Sequence, residues 1–315
     1  MTSPAPTPRS SLPMRLLYTV GLPASFAGLA YCSPPTAALT PLLLSPTIIA
    51  AWKLRRLPHQ DSGNTEVTAW TYLGTSILGP AIAGAIQLSL CHVFFKLLFG
   101  SHSQSYMREL QRVTVEGLST EAIDVRRQMA WNPRYSLILV ILSYVGASAV
   151  EEGLKYFALR FAVWRAQPKQ EHEYLIYAAA AGLGFGTIEN ILVTYASVEK
   201  GEKSSMIALM LFERAIFSAT GHTIMALLTS LQSIRRDSRG ENLSMWRVLA
   251  RPVGYHGTWN FILFSVSAWN GNVGWIHPTD VGSIVFALTS TVALQSRAAW
   301  DFWCQLKQLE LRLCE

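Results

Sequence analysis

Two adjacent carboxylates and a lysine interrupt an apolar stretch near the middle of the chain, in the run Ala149-Val150-Glu151-Glu152-Gly153-Leu154-Lys155. A charged side chain near a bilayer centre costs about 2.5–3.5 kcal/mol on insertion scales. Neighbouring carboxylates also repel, so one of them keeps a proton or finds a cation. On a helix, residues four apart lie within about 40° of each other. Glu151 and Lys155 are such a pair, and Glu152 is three residues from Lys155. One lysine can therefore neutralise one carboxylate while the other faces elsewhere. A structural ion pair would account for this triplet alone; a chemical role requires further polar groups nearby.

Such groups follow along the chain. Glu189 and Asn190 sit inside another apolar run, just after Ala178, Gly182 and Gly186. That four-residue spacing of small residues lets helices approach closely and reads as packing alone. Arg214 and His222 are eight residues apart, about 80° around a regular helix and on adjoining faces. Arg214 can balance Glu189 or one of the paired glutamates. His256 and Asn260 share one helical face at four-residue spacing. The set is then Glu151, Glu152, Glu189, His222, His256 and Asn260, with Lys155 and Arg214 as counter-charges. Carboxylate with imidazole activates water by general-base catalysis, and Asn and His donors stabilise a tetrahedral oxyanion. Two histidines with a glutamate are equally a zinc ligand set, whose bound water has a pKa near 7. Both versions hydrolyse an amide, and the residue types leave both open.

The elements that must position these groups are membrane helices. Of the 315 residues, 50% are hydrophobic and 15% charged, against roughly 25% charged in a soluble domain. Apolar stretches of spanning length fall at residues 14–32, 37–52, 69–99, 135–164, 174–197, 206–231, 252–269 and 281–295. The second and last are short and the first contains Pro23, so the expectation is an all-α polytopic bundle of about eight transmembrane helices, within a range of six to eight. A cleaved signal peptide is the competing reading of the first stretch; its length and the closely following apolar run favour retention.

The sequence divides into a Pro-rich tail over residues 1–13, a membrane domain over 14–296 with the chemical residues in 135–270, and a C-terminal tail over 297–315. Residues 58–67 read as a polar loop, and residues 101–132 as an amphipathic helix on or beneath the membrane. The net charge of +6 brings no nucleic-acid motif with it. Its distribution is topological: loops on the side of both termini carry most Lys and Arg, among them Arg55, Arg56, Arg235, Arg236 and Arg239. The positive-inside rule puts both termini in the cytosol. Cys32, Cys91, Cys304 and Cys314 have no paired spacing, which excludes a disulfide framework and a thiolate metal site.

The ordered motifs Glu151-Glu152-x-x-Lys155, Phe185-x-x-x-Glu189-Asn190, Arg214-x7-His222 and His256-x-x-x-Asn260 resemble those of the PrsW family of intramembrane proteases, and more distantly the CAAX prenyl endopeptidases. The resemblance covers about residues 135–270, and nothing before Tyr135 contributes to it. It implies an endopeptidase that cuts a transmembrane protein substrate in or near the lipid bilayer, with Glu151 or Glu152 activating water. It implies that His256 and Asn260 bind a metal or the oxyanion, and that Glu189 and His222 complete the site. Glu189, His222 and His256 are then the expected zinc donors, if a metal takes part. Two other classes fit the same residues: a transporter or proton relay using the Glu/His/Lys set, and an inactive membrane scaffold. No partner among nucleic acids is expected.

Overall fold

Short polar residues ahead of apolar runs dictate where helices begin. Asn132 accepts from the Arg134 N–H at 3.0 Å, and Pro133, which needs no N–H there, takes the first helical position. Ser119 caps its helix through the Ala122 N–H, Ser244 through the Arg247 N–H, and Gln170 with Glu173 forms a reciprocal capping box. In a bilayer this internal pairing of backbone groups is obligatory.

The computed structural model describes residues 11–54, 62–112, 115 and 117–311, and among these there is no strand. The helices are α1 (Leu12–Leu16), α2 (Leu22–Cys32), α3 (Pro34–Leu54), α4 (Ser62–Phe99), α5 (Ser103–Leu110), α6 (Thr120–Ala130), α7 (Pro133–Ile141), α8 (Val150–Ala166), α9 (Glu171–Glu199), α10 (Ser204–Glu213), α11 (Ala219–Asp237), α12 (Met245–Trp269) and α13 (Val281–Leu311). Three π-helical segments, Leu17–Gly21, Leu142–Ala149 and Arg214–Ser218, join α1 to α2, α7 to α8 and α10 to α11.

All eight apolar stretches lie on helix, and the chain is an all-α membrane bundle. Four helical stretches among the described residues are long and apolar enough to cross a membrane: Pro34–Lys53, Thr65–Leu110, Pro133–Ala166 and Glu171–Glu199. Thr19–Cys32 is a shorter apolar helix. The loop expected over residues 58–67 is helical from Ser62 onward, because α4 begins before its apolar part; residues 58–61 lie outside the described ones. The single amphipathic helix expected over 101–132 is two, α5 and α6, separated near Gly117, whose φ of 78° no helix accommodates. Of the expected N-terminal tail, residues 1–10 lie outside the described residues, as does Cys314 at the other end. Cys32, Cys91 and Cys304 are free thiols.

The chain forms two units. The first comprises Met1–Pro80 and Phe157–Ser230. There α3 packs against α2 and α9, and α10 against α9. The glycines of α9 allow the close approach: a Cβ on Gly184 would come within 2.3 Å of the Tyr72 carbonyl oxygen, and Ser76 Oγ donates to the Gly184 carbonyl at 3.0 Å.

The second unit comprises Ala81–Tyr156 and Leu231–Glu315. Here α12 packs on the π-helical segment Leu142–Ala149 and on α7 and α13. Its core stacks Phe95, Phe99, Tyr106 and Tyr135, the Phe99 and Tyr106 rings 3.8 Å apart at their centroids. Arg126 of α6 is buried and fastens the connection from α12 to α13. Its Nη1 donates to Glu109 Oε2 at 2.5 Å, its Nη2 to the Val273 carbonyl at 2.7 Å, and its Nε to Asn272 Oδ1 at 3.4 Å. Burial pulls the guanidinium below its ordinary pKa, and the Glu109 carboxylate works against that pull. Gly274, at φ 80°, donates its N–H to Tyr135 Oη and lies where a Cβ would come within 2.8 Å of the Leu110 carbonyl oxygen.

Candidate active site

The polar groups of the second unit converge from three helices. The backbone from Leu142 to Ala149 runs in i→i+5 turns, and Ser148 Oγ donates to the Ser143 carbonyl five residues back. Tyr144 lies flat against α12 at Gly257, where a Cβ would come within 2.3 Å of its ring, and its hydroxyl pairs with Thr258 Oγ1 at 2.8 Å. That contact holds the start of α8 opposite His256.

Glu152 is completely buried. Its Oε1 accepts from Lys155 Nζ at 2.5 Å and lies 2.7 Å from His256 Nδ1. A carboxylate paired with an ammonium can only accept, so Nδ1 carries a proton and, in the neutral ring, Nε2 presents its lone pair. That lone pair faces the other glutamate: Glu151 Oε2 is 3.7 Å from Nε2. The opposite oxygen of Glu151, Oε1, accepts from Gln87 Nε2 of α4 at 2.9 Å. The two glutamates thus have different surroundings. Glu152 is held by a cation and orients the histidine, whereas Glu151 is held by a neutral amide on the lone-pair side of the ring. A carboxylate and an imidazole lone pair at that separation can share a water molecule and draw a proton from it.

The polar groups of the first unit form a second cluster. Glu189 Oε1 accepts from Arg214 Nη1 at 2.7 Å, and Glu189 Oε2 pairs with His222 Nε2 at 2.8 Å. Asn190, fully buried, donates from Nδ2 to the Arg214 carbonyl at 3.0 Å. A regular helix would leave Arg214 and His222 about 80° apart. The π-helical segment Arg214–Ser218 advances less per residue and lets both reach Glu189.

The small-residue face of α9, read as packing alone, is packing with a purpose. A Cβ on Gly182 would come within 2.6 Å of the His222 carbonyl oxygen, and one on Gly186 within 3.1 Å of the imidazole Cδ2. Phe185 covers the same ring, with centroids 5.5 Å apart. Gly182→Val should therefore push the His222 turn away from Glu189 at a cost of about 1–3 kcal/mol. Thermal unfolding of the detergent-solubilised chain checks this, and an unchanged midpoint would refute it.

The expected residues therefore fall into two groups, each within its own unit. Glu151, Glu152, Lys155 and His256 meet in the second, and Glu189, Arg214 and His222 in the first. Lys155 pairs with Glu152, three residues away, and Arg214 with Glu189. Asn260 lies one turn beyond His256 on α12 and is half-buried. Gln87 lies outside the stretch that carries the resemblance, and only its contact with Glu151 brings it to the site. Its one signal in the sequence was a lone amide in the apolar second half of α4, which no spacing rule connects to Glu151.

A family model described as PrsW family intramembrane metalloprotease matches residues 118–293. Over 132 residues the chain is 28% identical to the protease PrsW of Bacillus subtilis, covering 41% of this chain and 56% of that protein. It is 22% identical over 135 residues to the protease PrsW of Geobacillus kaustophilus and 24% over 133 residues to that of Oceanobacillus iheyensis, covering 56% and 58% of those proteins. The chain thus spans a little over half the length of these curated relatives. No solved structure matches it.

Proposed function

The chain belongs to the PrsW family of intramembrane proteases, and on that premise we propose that it is an endopeptidase that hydrolyses peptide bonds of transmembrane protein substrates in or near the bilayer. One observation carries the reading. Two buried glutamates flank the two nitrogens of a buried histidine in an apolar helix pair, and their partners differ. Glu151 is the general base: it takes a proton from water as the water oxygen attacks the substrate carbonyl carbon. The tetrahedral oxyanion is stabilised by the Asn260 amide. Glu151 then gives the proton to the departing amine as the C–N bond breaks. His256 Nε2 faces the same water, and Glu152 fixes its ring through Nδ1. Lys155 pairs with Glu152 and holds it in that position.

For a metal, the donor chemistry fits. A carboxylate behind Nδ1 leaves Nε2 of His256 as a ligand, the arrangement in which an outer carboxylate orients a metal-binding histidine. Glu189 Oε2 and His222 Nε2, 2.8 Å apart, likewise offer adjacent ligand atoms. Of the expected zinc donors, Glu189 and His222 stand together in the first unit and His256 presents its ring nitrogen in the second. Zinc, when bound, would supply Lewis acidity and a water of lowered pKa.

The test is reconstitution of the purified chain with single-span substrates, comparing wild type with Glu151→Gln, Glu152→Gln and His256→Ala. Cleavage that survives all three changes overturns the mechanism. Proton flux lost in the same variants, with no cleavage by wild type, replaces it with the proton-relay reading. The loop charges further support both termini on the cytosolic side; protection of either terminal tag from added protease in right-side-out vesicles, with cleavage only after permeabilisation, is the expected result.

A further inference from the structure

At the end of α4 an open cavity of about 620 Å³ lies against α5, and its lining includes His92, Lys96, Gln104, Arg108 and Gln111. Two permanent cations face this space and no carboxylate lines it. The nearest acid in sequence is Glu109, which is committed elsewhere: its Oε2 accepts from Arg126 at 2.5 Å and from Arg112 at 3.2 Å. Its approach to Arg108 is only 4.0 Å. Among the described residues no carboxylate pairs with Lys96. Positive charge therefore outweighs negative here, since Glu109 is shared among Arg126, Arg112 and Arg108, and two amides able to donate hydrogen bonds lie beside it.

The position along the helix is informative. Lys96 lies one turn before the apolar run of α4 ends at Phe99, and α5 buries Ser103, Tyr106 and Met107 while exposing its polar side. This is where an apolar helix leaves the hydrocarbon, and a lysine there extends its stem along the apolar surface with its ammonium at the boundary. On the membrane side of Lys96, α4 exposes Leu88 and Val93, and Val93 also lines the cavity. Cations above and apolar side chains below match a group with an anionic head and an acyl tail. Guanidinium forks and amide donors suit phosphate oxygens in particular.

We propose that this cavity binds a phosphate group at the bilayer boundary, carried by the headgroup of an anionic phospholipid. The inference is independent of the proposed peptidase activity and uses none of its residues. About 1 kcal/mol of attraction per basic residue corresponds to roughly 5-fold, so two cations give about 30-fold preference for an anionic over a zwitterionic lipid.

The experiment is native mass spectrometry of the full chain with equal amounts of phosphatidylglycerol and phosphatidylcholine. Wild type should retain phosphatidylglycerol by about 30-fold, and the double variant Lys96→Gln/Arg108→Gln should retain both lipids equally. Arg134→Gln is the control, since that cation donates to the Leu98 carbonyl and lies outside the cavity lining; it should behave as wild type. Equal retention by wild type, or a preference that survives the double substitution, overturns the proposal. Adding inorganic phosphate separates the sources of the group. Displacement of the lipid at millimolar phosphate assigns the site to any phosphate, and resistance to it assigns the site to the lipid-borne form.

Discussion

Glu151→Gln should lower the rate of substrate cleavage by about 10²–10⁴-fold, the range of a general base, while leaving thermal stability nearly unchanged. The amide is the same size and can still face Gln87, so the surroundings lose a proton acceptor and little else. Glu152→Gln should behave differently. It removes the negative partner of both Lys155 and the His256 Nδ1–H, so stability and activity should fall together. Single-turnover cleavage and thermal unfolding, measured on both variants, separate the two roles. Equal loss of stability in Glu151→Gln and Glu152→Gln would refute the assignment of the base to Glu151.

Lys155→Met should destabilise the chain by about 3–5 kcal/mol, because it leaves a fully buried carboxylate without its cation. The double variant Lys155→Met/Glu152→Gln should recover most of that loss, since a neutral pair of similar volume carries no uncompensated charge. It should not recover activity, because His256 then loses the carboxylate that holds its ring. Denaturant unfolding and cleavage assays on the single and double variants check both halves of this statement. Stability that fails to return in the double variant would show that Lys155 acts by packing rather than by charge.

Much of this was legible in the sequence because charge is so costly inside an apolar helix that each exception carries meaning. The Glu-Glu-Lys triplet, the Glu189 motif, His222 and His256 were all visible for that reason. So was the helical class, since the apolar stretches reached spanning length. What stayed hidden was a matter of phase and of long-range pairing. Lys155 had two glutamates within helical reach, and only the packing of α12 on the π-helical segment shows which one it serves. Arg214 had several possible partners and a phase computed for a regular helix, which Arg214–Ser218 is not. Gln87 is 64 residues from Glu151, and an uncharged amide in an apolar helix stands out too little for sequence reasoning to pair it. Gly182 and Gly186 were legible as small, though not as the seat of an imidazole.

The π-helical segments carry a further consequence. A stretch wound in i→i+5 turns accommodates more residues per turn than its α-helical neighbours, so everything downstream keeps a phase set by residue count. Deleting one residue between Leu142 and Ala149 would let that stretch rewind in regular i→i+4 turns and remove the wide turn that seats Tyr144 against Gly257. No acid of the proposed site would have changed, yet the contact that holds the start of α8 opposite His256 would be lost. Chain length within that segment is therefore as much a component of the site as any of its acids.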